Sequence, residues 1–243
     1  MTTRPPRIVF AHGFTQTGRS WGPFIDALVE SIGEVDAVAP DLPGHGDASE
    51  RREDLWQCAD ALVAVGARAT YVGYSMGGRI ALHAALRHPD SVERLVLIGA
   101  TAGIDDDDER TARRASDNEL ADHIIRRSVP AFIDEWLDNP LFAGLTEATA
   151  MRDDRLRNTA SGLASSLRLT GTGTQEPLWD RLGAIRCPVL VIVGERDTKF
   201  TALGERIVES VDHGRLVVVP ASGHSVHLEQ PRSTVAAIAD FLG

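Results

Sequence analysis

The chain has 243 residues, of which 43% are hydrophobic, so it can bury the core of one large domain with an insertion. Its 25 Lys and Arg against 35 Asp and Glu leave a formal net charge of −10, which disfavours nucleic acids and anionic membranes as partners and favours a small molecule. With two cysteines, no apolar run long enough to span a bilayer and no secretory-type apolar stretch at its start, the sequence predicts a cytoplasmic protein without a disulfide framework.

Six short β-branched and aliphatic runs are predicted strands that are buried on both faces. They span residues 7–11, 35–39, 69–72, 95–98, 189–193 and 216–219. Helix-length segments with apolar residues three and four apart are predicted helices at 21–31, 52–65, 78–87, 202–211 and 234–242. This alternation predicts right-handed βαβ crossovers and an α/β fold, with a mostly parallel sheet flanked by helices.

The alternation is interrupted once. Residues 103–178 contain no predicted strand and carry charged, helix-like stretches. We therefore expect a helical cap here, inserted before the penultimate strand, with residues 1–102 and 179–243 forming the core.

The first chemical motif is Gly73-Tyr74-Ser75-Met76-Gly77, a G-x-S-x-G pattern between a predicted strand and a predicted helix. In this context the pattern indicates a nucleophile elbow, a sharp turn that exposes the serine hydroxyl and allows only small flanking residues. The helix start behind Ser75 supplies N–H groups and the positive end of a dipole.

A serine nucleophile or base needs an imidazole that takes its proton and a carboxylate that orients the imidazole. Asp197 and His224 each follow a predicted strand, where open parallel sheets place their sites, and they come in the order expected after Ser75. Glu195 and His227 remain alternatives for these two roles, and Asp41 is a weaker one because it precedes the serine.

An oxyanion hole requires two N–H donors aimed at developing negative charge. The backbone N–H of Met76, directly after the nucleophile, is one candidate. The other is the backbone N–H of Phe14, in the loop after the first strand.

Arg79 lies one helical turn after Ser75, so its guanidinium can reach the same pocket and bind a substrate carboxylate with two hydrogen bonds. Further candidate substrate contacts are Tyr74 and, in the cap, Arg126, Arg127, Arg157 and Trp136. Each cap arginine can instead be an exposed helix charge, which is the stronger alternative for Arg126 and Arg127, and Trp136 fits the cap core better than a substrate contact. No cluster has metal-ligand spacing, so we expect no metal and no cofactor.

Two sets of motifs resemble known families. His12-Gly13-Phe14, DLPGHG at 41–46, GYSMGG at 73–78, GERD at 194–197 and Gly223-His224 together resemble the α/β-hydrolase superfamily over essentially the whole chain. A closer resemblance, to the 2-succinyl-6-hydroxy-2,4-cyclohexadiene-1-carboxylate synthases (MenH) of menaquinone biosynthesis, is carried by Arg79, Trp136 with Pro140-Leu141-Phe142, Arg157-Asn158, GTGTQ at 171–175 and GERDTKF at 194–200.

The closer resemblance implies a lyase on an α/β-hydrolase fold. Its triad would remove a proton from a small polycarboxylate and drive elimination of pyruvate from a cyclohexene carboxylate, with no acyl-enzyme. Two alternatives stay open: a serine hydrolase acting on an ester, lactone or C–C bond, and a hydrolase scaffold that only binds a ligand.

Overall fold

The computed structural model describes residues 5–243 and contains one six-stranded sheet in the order β2-β1-β3-β4-β5-β6. The strands are β1 (Arg7–Ala11), β2 (Asp36–Val38), β3 (Ala69–Tyr74), β4 (Val92–Ile98), β5 (Val189–Gly194) and β6 (Gly214–Val219). Every strand pair is parallel. The predicted α/β class with its mostly parallel sheet is thus confirmed, and all six predicted strands exist. Residues 1–4, part of the predicted core segment 1–102, lie outside the described residues.

Helices cover both faces of the sheet, and β3 and β5 are therefore buried along their whole length. The helices of the core are α1 (Gly22–Ile32), α2 (Leu55–Gly66), α3 (Met76–Arg87), α8 (Thr198–Glu209), α9 (Val226–Glu229) and α10 (Pro231–Leu242). One apolar cluster joins the sheet to α2, α3 and α8, and a second joins the opposite face to α1, α9 and α10.

Between β4 and β5 the chain forms four helices and, within residues 103–178, no strand. They are α4 (Asp107–Arg126), α5 (Val129–Leu137), α6 (Arg152–Arg155) and α7 (Ala160–Thr170). Their apolar side chains, including Ile124, Phe132 and Leu163, form a separate small cluster. We call residues 103–178 the cap. No helix within residues 5–243 combines the length and apolar character needed to cross a bilayer.

Candidate active site

The turn between β3 and α3 is a strained elbow. Ser75 has φ 50°, in the region that favours glycine, and directly precedes α3. A Cβ atom on Gly77 would lie 2.1 Å from the Ala11 carbonyl oxygen, and one on Gly73 would lie 2.5 Å from the Gly77 carbonyl oxygen. The Ser75 N–H donates to the Ile98 carbonyl at 2.8 Å. The neighbouring glycines are therefore required because strands and helix approach more closely than a side chain allows.

Ser75, His224 and Asp197 form a continuous hydrogen-bonded chain. The His224 Nε2 atom lies 3.3 Å from the Ser75 Oγ atom, and the His224 Nδ1 atom lies 2.8 Å from the Asp197 Oδ2 atom. Both side chains of the His224–Asp197 pair are largely buried. Such geometry allows the imidazole to accept the serine proton while the carboxylate holds the ring in place.

Asp197 has a second task that fixes its direction. Its Oδ1 atom accepts from the Phe200 N–H at 3.2 Å, so the carboxylate also caps the start of α8. The Phe200 ring lies 4.4 Å, centroid to centroid, from the His224 ring. Because both carboxylate oxygens are engaged, the Asp197 side chain is held towards His224.

The two alternative carboxylates serve loop structure instead. The Glu195 Oε2 atom accepts from the Ala221 N–H at 2.9 Å. Asp41 accepts the N–H groups of Gly18 and Asp47, each at 2.7 Å. Neither carboxylate is hydrogen-bonded to His224.

The alternative imidazole, His227, is buried away from the serine. It packs 4.6 Å from Trp21 and 4.5 Å from Tyr74, centroid to centroid. Neither of its ring nitrogens has a hydrogen-bond partner among the described residues. Burial lowers the pKa of His227 to about 3, so the ring is neutral at neutral pH.

Because His227 is buried and neutral, we expect the folded protein to lose stability in acid. The His227 imidazole titrates near 6.5 when unfolded and near 3 when folded, so between these values the unfolded chain binds the proton more readily. Stability therefore rises with pH from about 3 to 6.5. We compare the free energy of unfolding of His227→Leu with that of the unmodified protein. This difference should be about 2 kcal/mol more in favour of the variant at pH 4.5 than at pH 7.5. Urea unfolding at both pH values measures this.

The control is Leu28→Ala, which removes a fully buried apolar side chain and no titratable group, so its effect on stability is expected to be equal at both pH values. An equal effect of His227→Leu at the two pH values would contradict a buried neutral imidazole.

Two backbone N–H groups are free next to the serine. Within residues 5–243, neither the Phe14 N–H nor the Met76 N–H donates a hydrogen bond to the protein, and both residues line the cavity at Ser75. A Cβ atom on Gly13 would lie 2.6 Å from the Tyr74 ring, so this loop packs directly on the elbow strand. The pair has the donor set that an oxyanion hole needs.

A cavity of about 710 Å³ opens at Ser75 between the sheet and the cap. Core residues line one side, and cap residues such as Leu167 and Thr170 line the other. The volume lies in the usual range for small-molecule sites. Tyr74 and Trp136 both line it. The Tyr74 hydroxyl is already hydrogen-bonded to Ser225 at 2.8 Å, whereas the Trp136 Nε1 atom has no partner in the described protein.

Arg79 is a buried cation in the cavity wall. Its Nη1 atom donates to the Thr170 carbonyl at 2.5 Å and lies 3.5 Å from the Gln175 Oε1 atom. No carboxylate of residues 5–243 lies within 4.0 Å of the guanidinium. Burial, with a smaller contribution from Arg113, lowers the pKa of Arg79 to about 10, so the side chain is still charged at neutral pH. Its remaining N–H groups are available to an anion.

The cap contributes two cavity arginines that sequence reasoning missed. Arg155 is 1% exposed and donates from Nη1 to the Thr15 hydroxyl, and burial lowers its pKa. Arg113 also lines the cavity, and its Nε atom donates to the buried Asp117 at 2.8 Å. Arg155 is buried in the four-residue helix α6, and Arg113 is an exposed residue of the long polar helix α4, so neither leaves a periodic apolar signal that separates it from neighbouring arginines.

The predictions for the other cap arginines need correction. Arg126 is exposed, and Arg127 pairs with Glu135 on the outer surface of the cap. Arg157 lies 3.4 Å from Asp47 in a separate surface pocket. None of the three lines the cavity at Ser75: Arg126 and Arg127 face solvent, and Arg157 is half-buried against Asp47.

A parallel sheet, a serine elbow after β3 and a hydrogen-bonded Ser-His-Asp chain define the class of the α/β hydrolases. Residues 8–238 match the α/β hydrolase family, and the chain belongs to it.

Within this family the chain is similar to the 2-succinyl-6-hydroxy-2,4-cyclohexadiene-1-carboxylate synthases, and by these relatives it is an enzyme. It is 31% identical to the synthase of Enterobacter sp. (strain 638), over 98% of this chain and 92% of that protein. A Bacillus subtilis (strain 168) protein that carries the same name provisionally is 36% identical, over 97% of this chain and 89% of its own length. The structure of MenH from S. aureus matches with a TM-score of 0.91 and 27% identity, over 99% of this chain and 95% of that one.

Proposed function

We propose that this enzyme eliminates pyruvate from 2-succinyl-5-enolpyruvyl-6-hydroxy-3-cyclohexene-1-carboxylate to give 2-succinyl-6-hydroxy-2,4-cyclohexadiene-1-carboxylate, a step of menaquinone biosynthesis in the cytoplasm. Ser75, His224 and Asp197 are its catalytic triad. The names of its relatives support this assignment.

The observation that carries the proposal is a pair of buried guanidinium groups in the same cavity as the triad. Arg79 and Arg155 are both buried, and neither has a carboxylate partner within 4.0 Å among residues 5–243. Burying a cation without an anion costs several kcal/mol. A substrate with several carboxylates offsets this cost, because guanidinium binds carboxylate in a planar, two-bond geometry. A neutral ester gives no such compensation.

In the proposed mechanism His224 takes the Ser75 proton, and the Ser75 oxygen removes the proton from the ring carbon that bears the succinyl ketone. Asp197 stabilises the imidazolium that forms. The ketone oxygen gains negative charge and accepts from the Phe14 and Met76 N–H groups. The electrons shift through the ring double bond and expel enolpyruvate, which takes up a proton and becomes pyruvate. No covalent bond to Ser75 forms.

The test compares two reactions of the purified enzyme. We expect pyruvate release from the cyclohexene substrate, followed by a coupled lactate dehydrogenase assay, with a kcat/KM at least about 100-fold above that for p-nitrophenyl acetate, because the neutral ester engages neither arginine.

Each alternative has its own outcome in the same test. Ester turnover without pyruvate release would favour the serine hydrolase. Binding of a polycarboxylate without turnover of either compound would favour a ligand-binding scaffold, and both results would contradict the elimination.

A further inference from the structure

The loop that carries the candidate oxyanion donor Phe14 is held at its tip by cap residues. We call residues 12–17 the oxyanion loop. Core residues hold the two ends of the loop. The His12 Nε2 atom accepts from the Leu42 N–H at 2.9 Å, and the Gly18 N–H, directly after the loop, donates to Asp41 at 2.7 Å. Between these anchors the loop makes an internal turn in which the Gln16 N–H donates to the Gly13 carbonyl at 3.2 Å.

The tip of this loop is strained. Thr15, directly after Phe14, has φ 70°, a backbone conformation that is unfavourable for a β-branched residue. Thr15 is also completely buried. Such a conformation persists only where surrounding contacts impose it.

Both oxygen atoms of Thr15 are bound by cap residues. The Asn158 Nδ2 atom donates to the Thr15 carbonyl at 2.6 Å, and Arg155 donates to the Thr15 hydroxyl. The same Asn158 amide donates to the Arg155 carbonyl at 2.9 Å and accepts from the Gly46 N–H at 3.0 Å. Asn158 is 5% exposed, so these bonds face no competition from bulk water.

A second cap residue holds the end of the loop. The Asp154 Oδ2 atom accepts from the Thr17 N–H at 2.9 Å, and its Oδ1 atom accepts from the Thr17 hydroxyl. Cap residues of one short segment, 154–158, thus bind the loop at two positions separated by one residue.

We propose that Asn158 and Asp154 are positioning residues that keep the Phe14 N–H directed into the cavity beside Ser75, where the substrate oxygen gains charge, so that the cap completes the oxyanion hole. Without Asn158 the Thr15 backbone can relax to negative φ, which tilts the Phe14–Thr15 peptide unit and, through the Phe14 Cα atom, shifts the Phe14 N–H away from the cavity. The role of Phe14 as a donor rests on the proposed function, but the hole would serve ester hydrolysis equally.

The test is Asn158→Ala, with Asp154→Asn as the second variant. Loss of an oxyanion donor lowers kcat by about 10²- to 10³-fold in a known case, and a misplaced donor should cost part of that. We expect kcat about tenfold lower with KM changed less than threefold. The rate at which diisopropyl fluorophosphate modifies Ser75, followed by intact mass, should fall by a similar factor, because the phosphoryl oxygen occupies the hole during attack.

Arg152→Ala is the matched control. Arg152 lies with Asp154 in the short helix α6, pairs with the exposed Asp134, and has no bond to the oxyanion loop. This variant should keep the kcat and the labelling rate of the unmodified enzyme, and circular dichroism should show all three variants folded.

Two results would overturn the proposal: folded Asn158→Ala and Asp154→Asn variants with unchanged kcat and labelling rate, or a rise in KM alone, which would mean that Asn158 acts only through Arg155 on the substrate. If Asn158→Ala does not fold, Asp154→Asn decides by the same two rates. An unmodified enzyme without pyruvate release would contradict the proposed function, while Ser75 labelling would still test the positioning role.

Discussion

Ser75→Ala is expected to lower kcat by about 10⁴-fold or more while the chain stays folded, because no other group can relay the substrate proton to His224. The 3.3 Å contact between His224 and Ser75 and the 2.8 Å contact between His224 and Asp197 make the three residues one unit. His224→Ala should cost about as much as Ser75→Ala. Asp197→Asn should cost about 10³- to 10⁴-fold, since an amide favours the wrong imidazole tautomer. Pyruvate release measures kcat in each variant.

When residues act as a unit, the rate losses caused by substituting each of them do not multiply. Combining Ser75→Ala with His224→Ala should therefore cost little more than the worse single variant. Glu195→Gln is the matched control, because Glu195 holds the Ala221 N–H and has no bond to His224. Multiplying losses in the double variant, or a Ser75→Ala enzyme with near-normal turnover, would show that the triad assignment is wrong.

The nucleophile elbow and the order of Ser75, Asp197 and His224 along the chain could be predicted from the sequence because each depends on local rules. Gly73 and Gly77, which flank Ser75, are dictated by the close packing of one turn, which any chain making that turn must satisfy. Asp197 and His224 follow buried strands, and strand ends meet at one edge of a parallel sheet. The choice of Asp197 over Glu195 depends on loop geometry, and only the structure shows which carboxylate faces the imidazole.

Which cap arginines line the cavity could not be predicted in this way. Arg157 and Arg155 are two residues apart, so they point to different sides of a helical turn, and tertiary contacts of α6 select the side. The bonds from Thr17 to Asp154 and from Arg155 to Thr15 join residues 137 and 140 positions apart, and together they place Arg155 on the buried side. On α4 the arginine that lines the cavity is Arg113, about 20 Å along the helix from Arg126. Which turn of a long polar helix lies over the cavity cannot be inferred from its composition.

The placement of charge agrees with an anionic ligand despite a net charge of −10. Much of the acidic excess is exposed, as at Asp107 and Asp108 in the first turn of α4, although Asp105, Asp106 and Glu109 also line the cavity. The buried cavity cations Arg79 and Arg155 concentrate positive potential where solvent screening is weakest. An acidic protein can thus bind a polycarboxylate, because the local field in a cavity decides binding more than the net charge does.

Arg79→Ala is expected to lower kcat/KM for the cyclohexene substrate by about 10- to 150-fold, the loss that corresponds to about 1.5 to 3 kcal/mol for a charge-assisted hydrogen bond. Arg79→Lys keeps the charge but removes the planar fork, and we expect roughly a tenfold loss. Turnover of p-nitrophenyl acetate, where it is measurable, should change little. Initial rates with both substrates give the comparison.

The ester measurement matters because Arg79 also has a structural contact. Its Nη1 atom donates to the Thr170 carbonyl at the end of α7, so a substitution could also loosen the cap. Cap loosening would lower both activities, whereas loss of a carboxylate contact lowers only pyruvate release. Arg87→Ala, on the same helix but paired with Asp60 at the surface, is the matched control and should leave both rates unchanged. Equal losses on both substrates in Arg79→Ala would assign Arg79 to holding the cap and would remove the main physical support for a polycarboxylate substrate.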